Sequence, residues 1–166
     1  MPGVGAFAEA MNNLHAKDIV KPILAAIDKG KPFLGICLGL QLLFENSEEF
    51  GSTKGLGIIP GQIKKFNFSD KKIKVPQMGW NNIKEPQLGK WKDTALSYVK
   101  NNEFMYFVHS YYACPALKEN ILCETEYEGI NYCSAIIKNN VVATQFHPEK
   151  SANEGLKIYK NWIEKI

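Results

Sequence analysis

No apolar run in the 166 residues approaches the ~18 positions that a membrane-crossing helix needs, so no membrane role is expected. The stretch Pro32–Cys37 is apolar but short, and it fits a buried strand better. A charged-then-apolar leader is missing, so no secretion signal is expected. The four cysteines (Cys37, Cys114, Cys123 and Cys133) lack CxxC spacing. They point to a reduced, cytoplasmic chain rather than a disulfide framework, and no metal site is expected. Charge of one sign is also lacking. Twenty Lys and Arg stand against 17 Asp and Glu, and the net +3 is spread along the chain. Without a basic stripe, nucleic acid is not an expected partner. No internal repeat, low-complexity tract or long linker divides the sequence, whose length suits one domain with one core.

What is present is regular punctuation. The chain opens on Met1-Pro2-Gly3-Val4-Gly5, a glycine-rich turn of the kind that follows a strand and precedes a helix. Ala6–His15 has helical spacing, with Phe7, Met11 and Leu14 on one face. Asp18 is the expected N-cap of a second helix that Gly30 closes. Phe33–Ile36 reads as a buried strand, and Leu38–Phe44 as a helix directly after it. Gly61–Phe68, Phe104–Val108, Ile121–Tyr127, Tyr132–Ile137 and Val141–Phe146 read as strands, the last two joined by an Asn139-Asn140 hairpin turn. Ala152–Ile166 closes as a helix. The expected fold class is α/β, layered around a central, mostly parallel sheet with antiparallel additions in the second half. Lys64, Lys65, Lys71, Lys72 and Lys74 read as a solvated strand face and loop. Cys114, Cys123, Cys133 and His15 read as packing or structural residues, as does His109.

The densest chemical signal is Gly35-Ile36-Cys37-Leu38-Gly39-Leu40-Gln41. A nucleophile with glycine two residues to either side, between strand and helix, has the pattern of a nucleophile elbow. Only small neighbours let the chain turn that tightly. The thiol then sits at a helix N-terminus, where the dipole and free N–H groups favour the thiolate and can hold an oxyanion. A packing cysteine between glycines has the same local pattern. The second signal, Gln145-Phe146-His147-Pro148-Glu149, supplies what a reactive thiol needs: a base, and an acceptor to orient the base.

These two motifs, in this order, closely resemble the class I (triad-type) glutamine amidotransferases. The resemblance implies a flavodoxin-like layered fold with Cys37 as nucleophile, His147 as its base and Glu149 orienting the imidazole. It also implies Gln41 as a contact to bound glutamine. Three further segments narrow it to the glutaminase subunits of imidazole glycerol phosphate synthases. Pro2-Gly3-Val4-Gly5-Ala6-Phe7 is similar to the oxyanion segment, which implies an oxyanion and glutamine site made by Gly3, Val4 and Gly5 with Leu38. Tyr106–Tyr112 is similar to the glutamine-side loop, implicating Ser110 and Tyr111. Val75–Asn81 is similar to the interface signature, implicating Gln77, Met78, Trp80 and Asn81 in partner contact; Lys150 also matches, as a residue of the subunit seam. The implied partner is a (β/α)₈-barrel cyclase subunit in a heterodimer that receives ammonia for histidine biosynthesis, with no cofactor.

Two departures open alternatives. Gln77 stands where that family usually has His, which suits a paralogue that delivers ammonia to a surface-sugar-modifying synthetase. The family also begins about 35–45 residues before Pro-Gly-Val-Gly, roughly the size of the missing strand–helix passages. The expectation is therefore that the first strands are missing, leaving a single amidotransferase domain over residues 1–166 that is incomplete or an inactive remnant. γ-Glutamyl peptide hydrolases, which need no partner, share the elbow and the Cys-His pair.

Overall fold

The computed structural model describes residues 1–70 and 72–164. The chain runs β1 (Pro2–Gly3), α1 (Phe7–Ala16), α2 (Val20–Asp28), β2 (Phe33–Cys37), α3 (Leu38–Gln41), β3 (Phe44–Ser47), β4 (Thr53–Lys54), β5 (Ile59–Lys65) and β6 (Gln77–Asn82). It continues through β7 (Phe104–His109), β8 (Tyr111–Pro115), β9 (Ile121–Tyr127), β10 (Ile130–Lys138), β11 (Val141–Thr144) and α4 (Ala152–Glu164). Lys71, expected in a solvated loop, and residues 165 and 166, expected in the last helix, lie outside the described residues.

One mixed sheet runs β1-β2-β11-β10-β8-β5-β3-β4, with β9 also on β10, and β6 pairs with β7 in a second, two-stranded sheet. Pairing is parallel in β1–β2–β11 and β3–β5, and antiparallel ladders join and extend these parts. Side chains that alternate across the sheet fill two cores. On β2 and β11, Leu34, Ile36 and Val142 face a core shared with Phe107, Phe146 and Ile158 of α4. Val141 and Ala143 face the other core, with Phe7, Met11 and Ile27 from α1 and α2.

Both N-terminal helices end in the same way. Asp18 N–H bonds the His15 carbonyl and Ile19 N–H that of Leu14; Gly30 and Lys31 repeat this at Ile27 and Ala26. These are paired C-terminal bonds closed by a left-handed residue. Gly30 was expected there. Asp18, with φ +53°, closes α1 rather than capping α2, whose N-cap is Ile19 without a side-chain bond.

The expected helix Leu38–Phe44 is also cut short, since α3 ends at Gln41 and Phe44 opens β3. The Leu42, Leu43 and Phe44 carbonyls accept instead from the backbone of residues 56–59, which removes the acceptors that a longer helix needs. Five strands went unforeseen in the sequence: β1, β3 and β4, and two that bear on the site. β6 covers Gln77–Asn82, and β8 begins at Tyr111, so the segment expected as a glutamine-side loop is mostly strand, broken at Ser110 between the two sheets.

Candidate active site

Parallel pairing of β2 with β11 brings the two sequence motifs together. Thr144 stands opposite Ile36, so Cys37 and Gln145 leave the sheet side by side at the carboxyl ends of their strands. That edge is where sites gather in α/β sheets. Cys37 turns the chain with φ +54° and ψ −109°, a backbone state that costs on the order of 1–3 kcal/mol in a non-glycine residue. Space at the elbow is minimal. A Cβ on Gly35 would sit 2.8 Å from the Gly39 carbonyl oxygen and 2.9 Å from the Ala143 Cβ, which explains the glycine there.

The His147 backbone N–H bonds the Tyr106 carbonyl at 2.9 Å, and the Ser151 hydroxyl donates to the His147 carbonyl at 2.6 Å. Pro148–Lys150 form a single 3₁₀ turn, which returns the Glu149 carboxylate to His147: Oε1 lies 2.7 Å from Nδ1. Since a carboxylate accepts, Nδ1 carries the hydrogen in the neutral ring and Nε2 holds the free lone pair. That Nε2 is buried and has no hydrogen-bond partner. An unpartnered basic nitrogen on a residue that shares a cavity with a free thiol is unusual in a folded interior and makes this a candidate site of chemistry. Gly155 sets the depth of the turn, because a Cβ there would meet the Pro148 carbonyl oxygen at 2.1 Å.

Cys37 and His147 line one cavity of about 330 Å³ together with Val4, Gly5, Leu38, Gln41, Ser110 and Tyr111. Gly3 does not line it, but pairs with Cys37 across β1–β2. Gln41 donates from Nε2 to the Tyr111 carbonyl and to Gln145 Oε1, each at 3.1 Å.

Burial pushes the Cys37 thiol up to about 11, against the lowering effects of the Leu38 backbone N–H, Gln145 and Lys150. The expected thiolate is therefore not the resting form. α3 is only four residues long, too short for its dipole to offset desolvation. The sequence also concealed Glu49. Its carboxylate lines the same cavity and accepts the Phe7 backbone N–H at 2.6 Å, at the start of α1. Its neighbours in sequence are glutamate, serine and phenylalanine, with no motif to single it out. His109, expected to be structural, is buried and borders this cavity.

The residues expected at a partner face divide. Met78 is 66% and Trp80 54% exposed on β6. Trp80 packs edge-on to Tyr106 of β7, with ring centroids 6.2 Å apart, and exposed Lys150 lies 5.7 Å over the same Tyr106 ring. Gln77, only 3% exposed, points the opposite way, because successive residues of a strand face opposite sides. Its side chain is therefore not a surface contact. Asn81 is half-buried and donates inward to the Glu126 carbonyl at 2.8 Å.

The profile of glutamine amidotransferase class I matches residues 1–166. The imidazole glycerol phosphate synthase subunit HisH of Geobacter metallireducens is 47% identical over 166 residues, covering 98% of this chain and 77% of that protein. The subunit of the same name from Synechocystis sp. is 46% identical over 168 residues, covering 100% and 77%. A crystal structure of a glutamine amidotransferase superposes with a TM-score of 0.68 at 15% identity, over 99% of this chain and 76% of that one; at that identity the likeness concerns the fold.

Proposed function

We propose, for a chain that belongs to the class I glutamine amidotransferase family, that it is the glutaminase subunit of an imidazole glycerol phosphate synthase, acting through Cys37, His147 and Glu149. The observation that carries this reading is the unpartnered His147 Nε2, held by Glu149 on its far side and sharing one cavity with Cys37. The Cys37 sulfur attacks the γ-carboxamide carbon of glutamine as its proton passes to Nε2. Collapse of the tetrahedral adduct expels ammonia, which takes that proton. Water, deprotonated by the same nitrogen, then hydrolyses the thioester to glutamate and restores the thiol. The Leu38 N–H, with the Gly3-Val4-Gly5 segment, holds the oxyanion.

Glutamine lies between Gln41 and the Ser110–Tyr111 corner, and Glu49 holds its α-ammonium by opposite charge. Residues 1–166 act as one amidotransferase domain. The partner is a (β/α)₈-barrel cyclase docked on the outward face of Met78 and Trp80, with Lys150 at the seam. Two exposed apolar side chains beside a stacked cation support such a face. Ammonia delivered there serves histidine biosynthesis, and a cytoplasmic location fits the four free cysteines. Among the described residues, no helix is long and apolar enough to cross a membrane. The names of the curated relatives favour the histidine branch over delivery to a sugar-modifying synthetase.

A protonated resting thiol suits an enzyme that idles until its partner arrives. The test is glutamate release from glutamine by the purified chain, with and without the cyclase and its ribulosyl-aminoimidazole ligand. Slow release that rises with the loaded cyclase is expected. Fast, partner-independent cleavage of γ-glutamyl peptides would instead identify a thiol hydrolase.

A further inference from the structure

A buried chain of polar groups connects the inward side of β6 to the cavity. The Gln77 carboxamide meets the Tyr132 hydroxyl at 2.9 Å, and that hydroxyl is 3.2 Å from His109 Nε2. His109 Nδ1 lies 2.9 Å from the Tyr111 carbonyl oxygen, the same oxygen that accepts from Gln41 Nε2. Gln41 then reaches Gln145 Oε1, and Gln145 Nε2 lies 3.7 Å from the Cys37 sulfur.

Donor accounting fixes the protons along it. A carbonyl only accepts, so His109 Nδ1 carries a hydrogen. Burial pushes the His109 imidazole down to about 4, so the ring is neutral at pH 7 and Nε2 is bare. Nε2 must therefore accept the Tyr132 hydroxyl proton. The Tyr132 oxygen then has none left for Gln77, which must donate to it through its amide NH₂. Rotating the amide in this way engages Gln77 Nε2 with the Tyr132 oxygen and puts Oε1, in its stead, at the buried position without a partner. At the other end, both amide hydrogens of Gln41 are engaged, leaving its Oε1 as the acceptor available to a ligand.

We propose that Gln77, Tyr132 and His109 form a positioning relay that orients the Tyr111 carbonyl, and through it the Gln41 carboxamide, so that the seat of β6 is coupled to glutamine binding. The relay rests on the reading that this cavity binds glutamine and that the outer face of β6 receives a partner. None of the three residues is placed on the reacting atoms. Gln77 and Met78 are consecutive on one strand and face opposite sides. A partner that reseats Met78 therefore moves the first member of the relay.

The experiment uses Tyr132→Phe, which keeps the ring that packs edge-on to Phe66 and Phe107 and deletes only the hydroxyl. Glutamine affinity is measured by calorimetry on the Cys37→Ala background, so that binding is read without turnover. Adding Tyr132→Phe is expected to weaken glutamine binding ~5- to 10-fold, the size of one lost buried hydrogen bond. Gln77→Met is expected to weaken it similarly and to abolish any tightening that the barrel partner causes. It is also the fallback should Tyr132→Phe fail to fold. Unchanged affinity in a folded variant, or a fall in melting temperature without a change in affinity, overturns the relay. Glutamine binding by the wild-type chain with no turnover even when the loaded cyclase is added sinks the catalytic reading and leaves the relay standing. No binding by Cys37→Ala alone sinks both.

Discussion

The carboxamide nitrogen of Gln145 lies 3.7 Å from the Cys37 sulfur, although 108 residues separate the two in sequence. The parallel register of β2 and β11 places them there, and it also fixes the next step of the chain, at whose end His147 meets the cavity. Four expectations rest on this neighbourhood and its surroundings.

Burial holds the Cys37 thiol at about 11, against the 9.0 of an unperturbed cysteine. In the chain without partner, alkylation of Cys37 by iodoacetamide should therefore rise with pH towards a midpoint near 11. A midpoint at or below 9.0 contradicts the burial account. The sign for stability follows from the same shift. The folded state holds this proton more tightly than the unfolded one, so the contribution is fully present below pH 9.0 and is lost as pH climbs to about 11. Cys37→Ala removes that loss. It should also leave less than ~1% of glutaminase activity, since removal of a nucleophile that acts with its base costs orders of magnitude.

Glu49→Gln retains an acceptor for the Phe7 N–H and removes the charge from the cavity. The KM for glutamine should rise ~10-fold or more, with kcat within about threefold, in keeping with lost uniform binding of a cation. Equal losses in kcat and kcat/KM with an unchanged KM would place Glu49 in the chemical step instead.

Gly155→Ala puts a methyl group 2.1 Å from the Pro148 carbonyl oxygen, which is backbone and can move only with the His147 turn. A destabilisation of ~1–3 kcal/mol is expected from overpacking, readable as a lower urea midpoint. Glutaminase activity should fall further than the folded fraction does, because the turn carries both His147 and Glu149.

Trp80→Ala should leave stability within ~0.5 kcal/mol, since the ring is more than half exposed. Partner affinity should drop by ~2 kcal/mol or more, the usual cost of truncating a central interface tryptophan. Calorimetry against the proposed barrel subunit checks this, and undiminished affinity would move the proposed docking face away from β6.

What the sequence alone determined about this protein is local or motif-borne. Gly35 and Gly39 around Cys37 announced a strained turn, since the constraint acts over two residues either side. Asn139-Asn140 between apolar runs announced the β10–β11 hairpin, and His147 and Glu149 declared themselves by their spacing. Tertiary structure decided the rest, because burial and partnership come from distant parts of the chain. It ended α3 at Gln41 by giving the next carbonyls to residues 56–59. It brought Glu49 into the cavity, and it turned Gln77 inward while leaving Met78 and Trp80 outside. It also reversed the expected state of the Cys37 thiol, since desolvation by the surrounding core outweighs the N–H groups of a four-residue helix.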